Sequence, residues 1–372
     1  MSGPNFVELE RRAERRRERR EQVRLRRLVA SGSVAVIIVA AVVLATGAFA
    51  SSAGLKVVQV VLTNPLPAQL PVQVTIKVPA RQAPSGGASA GSSPVVSAPR
   101  KRTSTPRANG GALLKPGAAA SFAVLQRGLA GPVGVAVAGV QGGGEFVFGD
   151  DEPAHGWSTT KVPVLVGLLK ATHGALSATE RQEAQLAITE SDNQSIIDLF
   201  DDLEQLEGGL DGASSYVTSL FRESGDDSTI VATAPPPPGA VTTFGQTEWP
   251  PSEAVKFYRA LAAGCLLPAA QTDYVLGLME HIVSYESWGL GSAGFHSVAF
   301  KGGWGPESGG YLVRQSGIVA PSTPDAVAVA IVAHPPEGAD SFTVGTQMVT
   351  ETAQWLAREL VLAPRSGAGC PS

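Results

Sequence analysis

Three short groups of residues in this chain could do chemistry, and each has an ordinary structural use beside it. Ser158-Thr159-Thr160-Lys161 places a hydroxyl and an amine three residues apart. On a helix such positions share a face, so an unprotonated Lys161 could take the Ser158 proton and make that serine a nucleophile. A backbone N–H at Ser158, at the start of a helix, can also stabilise an oxyanion. Ser191-Asp192-Asn193 offers a hydroxyl to relay a proton to a leaving nitrogen, and an amide to hold a carbonyl or orient the lysine. The same three residues suit a helix end followed by an N-cap. Lys301-Gly302-Gly303-Trp304 joins a cation to glycines that let a substrate backbone approach a strand edge. Charge at Lys301 would bind a carboxylate and hold the Lys161 pKa down, because a like charge disfavours protonation. A glycine-rich strand end or bulge writes the same string.

The pattern around these groups predicts the elements that must position them. Ala119 to Leu129 reads as a helix. Val133 to Val140 alternates as a strand, Gly142-Gly143-Gly144 turns, and Glu145 to Phe148 returns. Helices follow over Ser158 to Leu169, Ala178 to Thr189 and Gln194 to Leu206, with Ser177 and Glu180 spelling a capping box. Pro235 to Pro238 makes an extended loop. Helices are again expected over Glu253 to Ala263 and Thr272 to His281. Strands come next at Ser297 to Gly303, Tyr311 to Val319 and Ala326 to Ala333. A last helix spans Ser341 to Leu362, with Val344, Met348, Leu356 and Leu360 on one stripe. This order predicts an α+β fold: a five-stranded antiparallel sheet with terminal helices over one face, and the central helices as an all-α lobe. A cleft between lobe and sheet would hold the three groups.

Ser-x-x-Lys, Ser-Asp-Asn and Lys-Gly-Gly, in this order on a helix start, an inter-helix loop and a strand, resemble the motifs of the class A β-lactamase and penicillin-binding serine hydrolases. The resemblance covers residues 119–363. It implies that Ser158 is acylated, Lys161 is the general base, Ser191 passes the proton to the departing nitrogen, and Asn193 binds the substrate amide. Lys301 would steer the substrate carboxylate, Gly302 and Gly303 would let the substrate lie along the strand, and the N–H groups of Ser158 and Trp304 would form the oxyanion hole. The implied substrate is a β-lactam or a D-Ala-D-Ala-like amide of a peptidoglycan stem peptide, with no cofactor and no metal. Three departures accompany this. Gly302 stands where the family carries Thr or Ser. Between Asn193 and Trp249 no Glu sits in the context of the family's deacylating residue; Asp227 and Glu248 are the nearest carboxylates. The 33 residues from Ser158 to Ser191 are short for class A enzymes. Acylation followed by slow release is the expected behaviour, and an inactive relative that binds or senses peptidoglycan is the alternative.

Other residues carry less. The histidines His155, His173, His281, His296 and His334 form no metal-type spacing, and no Gly-x-Ser-x-Gly elbow occurs. His155 could rim the cleft or sit on an exposed loop; Trp157 and Trp304 could wall it or pack in the core. Two cysteines, Cys265 and Cys370, exclude a disulfide-dense scaffold and a thiolate zinc cluster. A disulfide between them and a pair of free thiols both remain open.

The first fifty residues bear on compartment. Residues 8–27 hold ten Arg and five Glu, and Leu28 to Leu55 carries no charge over 28 residues. About 20 apolar residues cross a bilayer as a helix, and arginines ahead of the span keep that end cytoplasmic. The expected organisation is a cytoplasmic head (1–27), a single-pass membrane anchor (28–50), a short β stalk (51–78), a Pro/Ser/Gly linker (79–118), the extracytoplasmic hydrolase domain (119–363) and a tail (364–372). A secreted form cut near Ala50, after Ala48-Phe49, is the alternative. Forty linker residues span roughly 35 Å as a flexible coil; their cluster Arg100-Lys101-Arg102 could track anionic wall polymer or simply be solvated. From residue 28 onward 19 basic and 28 acidic side chains leave −9, which argues against nucleic-acid binding. A chain 44% hydrophobic is not wholly disordered.

Overall fold

The structure, a computed structural model, describes residues 113–238, 240–307, 310–366, 369 and 370. The expected head, anchor, stalk and most of the linker lie outside the described residues. Among those described, no helix is long and apolar enough to cross a membrane.

Five strands, β1 (Val133–Gly139), β2 (Glu145–Gly149), β3 (Val298–Glu307), β4 (Gly310–Val319) and β5 (Val327–Ala333), form one antiparallel sheet in the order β2-β1-β5-β4-β3. The β1–β2 hairpin closes through Gly142, Gly143 and Gly144, all at positive φ (108°, 99° and 86°), a backbone region that glycine enters without a Cβ clash. In β1 and β5 every residue is buried, so both faces of the sheet are covered. Period-2 alternation sorts the side chains. Val133, Val135 and Val137 of β1 and Val327, Val329 and Ile331 of β5 point to one core, and Ala136, Ala138, Ala328 and Ala330 to the other.

The branched face carries the terminal helices α1 (Ala118–Gly128) and α8 (Ser341–Glu359), joined by the ring cluster of Phe122, Phe148 and Trp355. The alanine face takes α6 (Pro251–Ala262), which inserts Ala254, Val255, Tyr258 and Leu261 into the second core. Small residues in the sheet let that helix approach closely. The helices α2 (Lys161–Ala171), α3 (Ala178–Thr189), α4 (Asn193–Glu207), α5 (Leu210–Glu223) and α7 (Ala269–Glu280) complete this second layer. Both faces of the sheet are therefore covered by helices: α6 and α7 touch its strands, while α2, α3, α4 and α5 pack chiefly on one another and continue the same core, as the expected helical lobe.

The helix α5 was not expected. Its Gly212, Ser214, Ser215, Val217 and Thr218 are all weak helix formers, and packing of Ala213, Val217, Leu220 and Phe221 overrides that preference. The last helix stops at Glu359, three residues short of the expected end, because Leu360 turns extended and bridges to Leu114. Leu113 and Leu114 are both buried, so the packed chain starts inside the stretch read as linker. The capping box is present: Glu180 N donates to Ser177 Oγ (3.1 Å) and Ser177 N to Glu180 Oε2 (2.5 Å). Cys265, just after α6, is bonded to Cys370, so the tail is tied to the domain.

Candidate active site

Ser158 does not open a regular α-helix. It sits in a tight 3-10 turn, Trp157–Thr160, that leads into α2 at Lys161. Trp157 is held at φ 46°, a conformation that costs a bulky residue energy and persists only where neighbours enforce it. Those neighbours are identifiable. Thr160 Oγ1 donates to Trp157 O at 2.6 Å, and the Trp157 indole N–H donates to Glu307 Oε1 at 3.1 Å. The segment ahead of it is fixed by Arg314 of β4, whose Nη1 donates to the carbonyls of Ala154 (3.2 Å), His155 (3.1 Å) and Trp249 (3.0 Å). Burial pushes the Arg314 pKa down to about 10. His155 rims this turn, edge-on to Trp157 and 2.8 Å from Glu307 Oε2.

The turn packs on edge strand β3. A Cβ at Gly303 would stand 2.8 Å from Ser158 N and 3.0 Å from Thr159 N, so only glycine lets strand and turn meet this closely. Lys301, two residues earlier, points into the same region and is fully buried.

Ser191 lies between α3 and α4 at φ 56°. Asp192 then caps α4, its carboxylate accepting from Ser195 N at 2.7 Å. The cap use of this triplet is thus real, and it coexists with a polar cluster. Lys161 Nζ donates to Ser191 O (2.5 Å) and Asn193 Oδ1 (2.8 Å), and lies 3.3 Å from Ser191 Oγ. Lys301 Nζ donates to Ser191 Oγ at 2.9 Å. Ser191 Oγ is thereby held between two amines from opposite sides of the fold. The pKa of Lys161 is driven well below that of a free lysine, first by burial and then by the Lys301 charge. Burial also lowers that of Lys301, against the Glu286 carboxylate, which raises it.

One expected contact is missing. Among the described residues Ser158 Oγ makes no hydrogen bond to Lys161 Nζ; that amine is turned to Ser191 and Asn193. The reason is geometric: the first turn is 3-10, and the loop at Ser191 presents both a carbonyl and a hydroxyl to the amine. Gly302 and Trp304 lie beside the cluster on β3, and the Trp304 ring packs against Trp288 and Phe342.

The fold has solved relatives. A class A β-lactamase from Mycobacterium abscessus superposes with a TM-score of 0.51 at 18% identity, covering 65% of this chain and 98% of that one. The chromosome-encoded β-lactamase of Vibrio parahaemolyticus gives 0.52 at 16% identity, covering 65% and 98%. This chain has the class A β-lactamase fold. At such identities the likeness speaks for fold alone. No family model matches the chain, and no curated protein matches it in sequence.

Two residues of this candidate site went unnoticed in the sequence. Glu286, in the short turn Ser284–Glu286, puts Oε2 3.3 Å from Lys301 Nζ. Trp288 lays its ring against Gly302. Neither belongs to a periodic segment, and 15 residues separate Glu286 from the lysine it meets; no local signal could have paired them. Asp227 and Glu248, the carboxylates nearest a deacylating role by sequence, are both solvent-exposed.

Proposed function

We propose that this chain is an extracytoplasmic serine hydrolase that forms an acyl-enzyme at Ser158 with a β-lactam or a peptidoglycan stem-peptide amide. The observation that carries this is the chain of polar contacts from Lys161 through Ser191 to Lys301, assembled beside a serine whose backbone meets Gly303. The lowered pKa of Lys161 supports its use as a base at neutral pH. Ser158 Oγ attacks the amide carbon while its proton passes to Lys161 Nζ, and the carbonyl oxygen becomes an oxyanion facing the N–H groups of Ser158 and Trp304. As the intermediate collapses, the C–N bond breaks and the nitrogen takes the Ser191 proton, which Lys161 replaces. Asn193 holds both the base and the substrate amide. Water then cleaves the ester slowly, since no carboxylate of the Asp227–Glu248 loop stands in the family's deacylating context. Catalytic hydrogen bonds commonly tighten only when substrate is bound, which reconciles the Ser158–Lys161 gap with this role. Residues 28–50 would anchor the domain outside the membrane, and the Cys265–Cys370 disulfide suits an oxidising compartment.

The gap between Ser158 and Lys161 also favours a second reading, a binding module for peptidoglycan that does no chemistry. Labelling the full chain with a fluorescent penicillin separates the two. Covalent label on the unmodified chain and none on Ser158→Ala is the expected result. No label on either, with measurable binding to wall fragments, selects the binding module.

A further inference from the structure

Lys301 is the residue a substrate carboxylate would seek, yet it is already engaged. An ammonium has three N–H donors. Those of Lys301 Nζ face Ser191 Oγ (2.9 Å), Glu286 Oε2 (3.3 Å) and the carbonyl of Gly302 (3.2 Å). The lysine is fully buried and Glu286 is only 7% exposed, so the pair is sealed from water. Its neighbours offer no replacement. Residue 302 has no hydroxyl, and a Cβ there would meet the Trp288 ring at 3.1 Å. Arg314, across the ladder from Gly303, commits its Nη1 to the carbonyls of Ala154 and His155, on the loop before Ser158, and of Trp249.

We infer that Glu286 is a specificity-determining residue: its carboxylate occupies the charge position at Lys301 that a substrate carboxylate would take, and the site accepts acyl donors that are uncharged beside the scissile bond. This rests on the reading of the cleft as an acyl-enzyme site and narrows its substrate class, to amides or esters whose leaving side bears no free carboxylate. A carboxylate entering this cleft has to displace Glu286 from a buried partner. The displaced acid would then be a buried charge without its cation, an arrangement that is strongly disfavoured. An uncharged donor leaves the pair intact.

The test uses the full chain and a matched pair of probes, benzylpenicillin and its methyl ester, with second-order acylation rates measured for each. The unmodified chain should react faster with the ester, after correction for the ester's intrinsic reactivity. Glu286→Gln should shift the ratio toward the free acid by about tenfold or more, the equivalent of one decade of affinity. An unmodified chain that prefers the free acid, or a ratio that Glu286→Gln leaves within about twofold, overturns the inference. Where neither probe acylates the chain, the acyl-enzyme reading fails on its own, and calorimetry on Ser158→Ala decides the point. N-acetyl-D-Ala-D-Ala amide should bind there more tightly than the free dipeptide acid. Equal or reversed affinities overturn the proposal independently of any covalent step.

Discussion

In the proposed mechanism Lys161 acts as a base while buried next to a second lysine, and the two differ in their neighbours. A neutral amine has two N–H donors and one lone pair. The contacts to Ser191 O and Asn193 Oδ1 use the donors, which leaves the lone pair for a hydroxyl proton. Lys301 keeps a carboxylate partner in Glu286, whereas the amine of Lys161 is held by the Ser191 carbonyl and the Asn193 amide oxygen. The sign of the resulting pH dependence follows. Acylation requires neutral Lys161, so its rate should fall on acidification as the amine gains a proton. Lys301→Gln removes the like charge that holds the Lys161 pKa down, and should move this acid limb to higher pH. The rate of fluorescent-penicillin labelling across pH 5 to 9 is the measurement; an unmoved limb would remove Lys301 from the electrostatics of the base. Ser191→Ala should slow labelling by about 10²-fold or more, the usual scale of a lost proton relay, while the folded chain keeps its thermal midpoint within a few degrees.

The strands and most helices were legible from their residue patterns and the turn residues that bound them, and α3 and α4 also from side-chain N-caps. The capping box of α3 and the alternation of β1 are examples. The helix α5 was not legible, since serines, a glycine and β-branched residues hide a helix whose stability comes from packing. The three polar motifs could be read as one site only through their order along the chain. Their meeting depends on β3 lying at the sheet edge against the turn at Ser158, a long-range fact with no local signature. Glu286 illustrates the limit, as an acid in an irregular turn whose partner lies on a strand. The strand–turn contact is itself testable. Gly303→Ala would push a methyl group against two backbone nitrogens that cannot rotate away. Overpacking of this kind costs about 1–3 kcal/mol. The variant should lose several degrees of thermal midpoint and most of its labelling, read by calorimetry and gel fluorescence. Gly310→Ala, with nothing near its Cβ, is the control.

Across the whole domain, two features set the conditions for stability. Glu253 at the start of α6 is paired with Lys256 at 2.8 and 2.9 Å, yet burial and the neighbouring Asp226 carboxyl raise its pKa from 4.5 to about 7. The folded chain therefore keeps a proton there that the unfolded chain releases above about 4.5. The stability this gives is complete below that pH and is lost as pH rises through about 7. Denaturant titrations between pH 4.5 and 8 should show this decline, and Glu253→Gln should flatten it. The Cys265–Cys370 bridge closes a span of 105 residues. Its removal by Cys370→Ser should cost about 2–4 kcal/mol, the range typical of native disulfides, in chemical denaturation. The bridge between Leu114 and Leu360 lays the segment entering α1 beside the segment leaving α8. Tension arriving through the preceding chain would enter there, at the seam of α1 and α8. It would strip those helices before it reached β3, at the other edge of the sheet from β2. A tug on this protein should therefore unravel its back while leaving the candidate crevice for last.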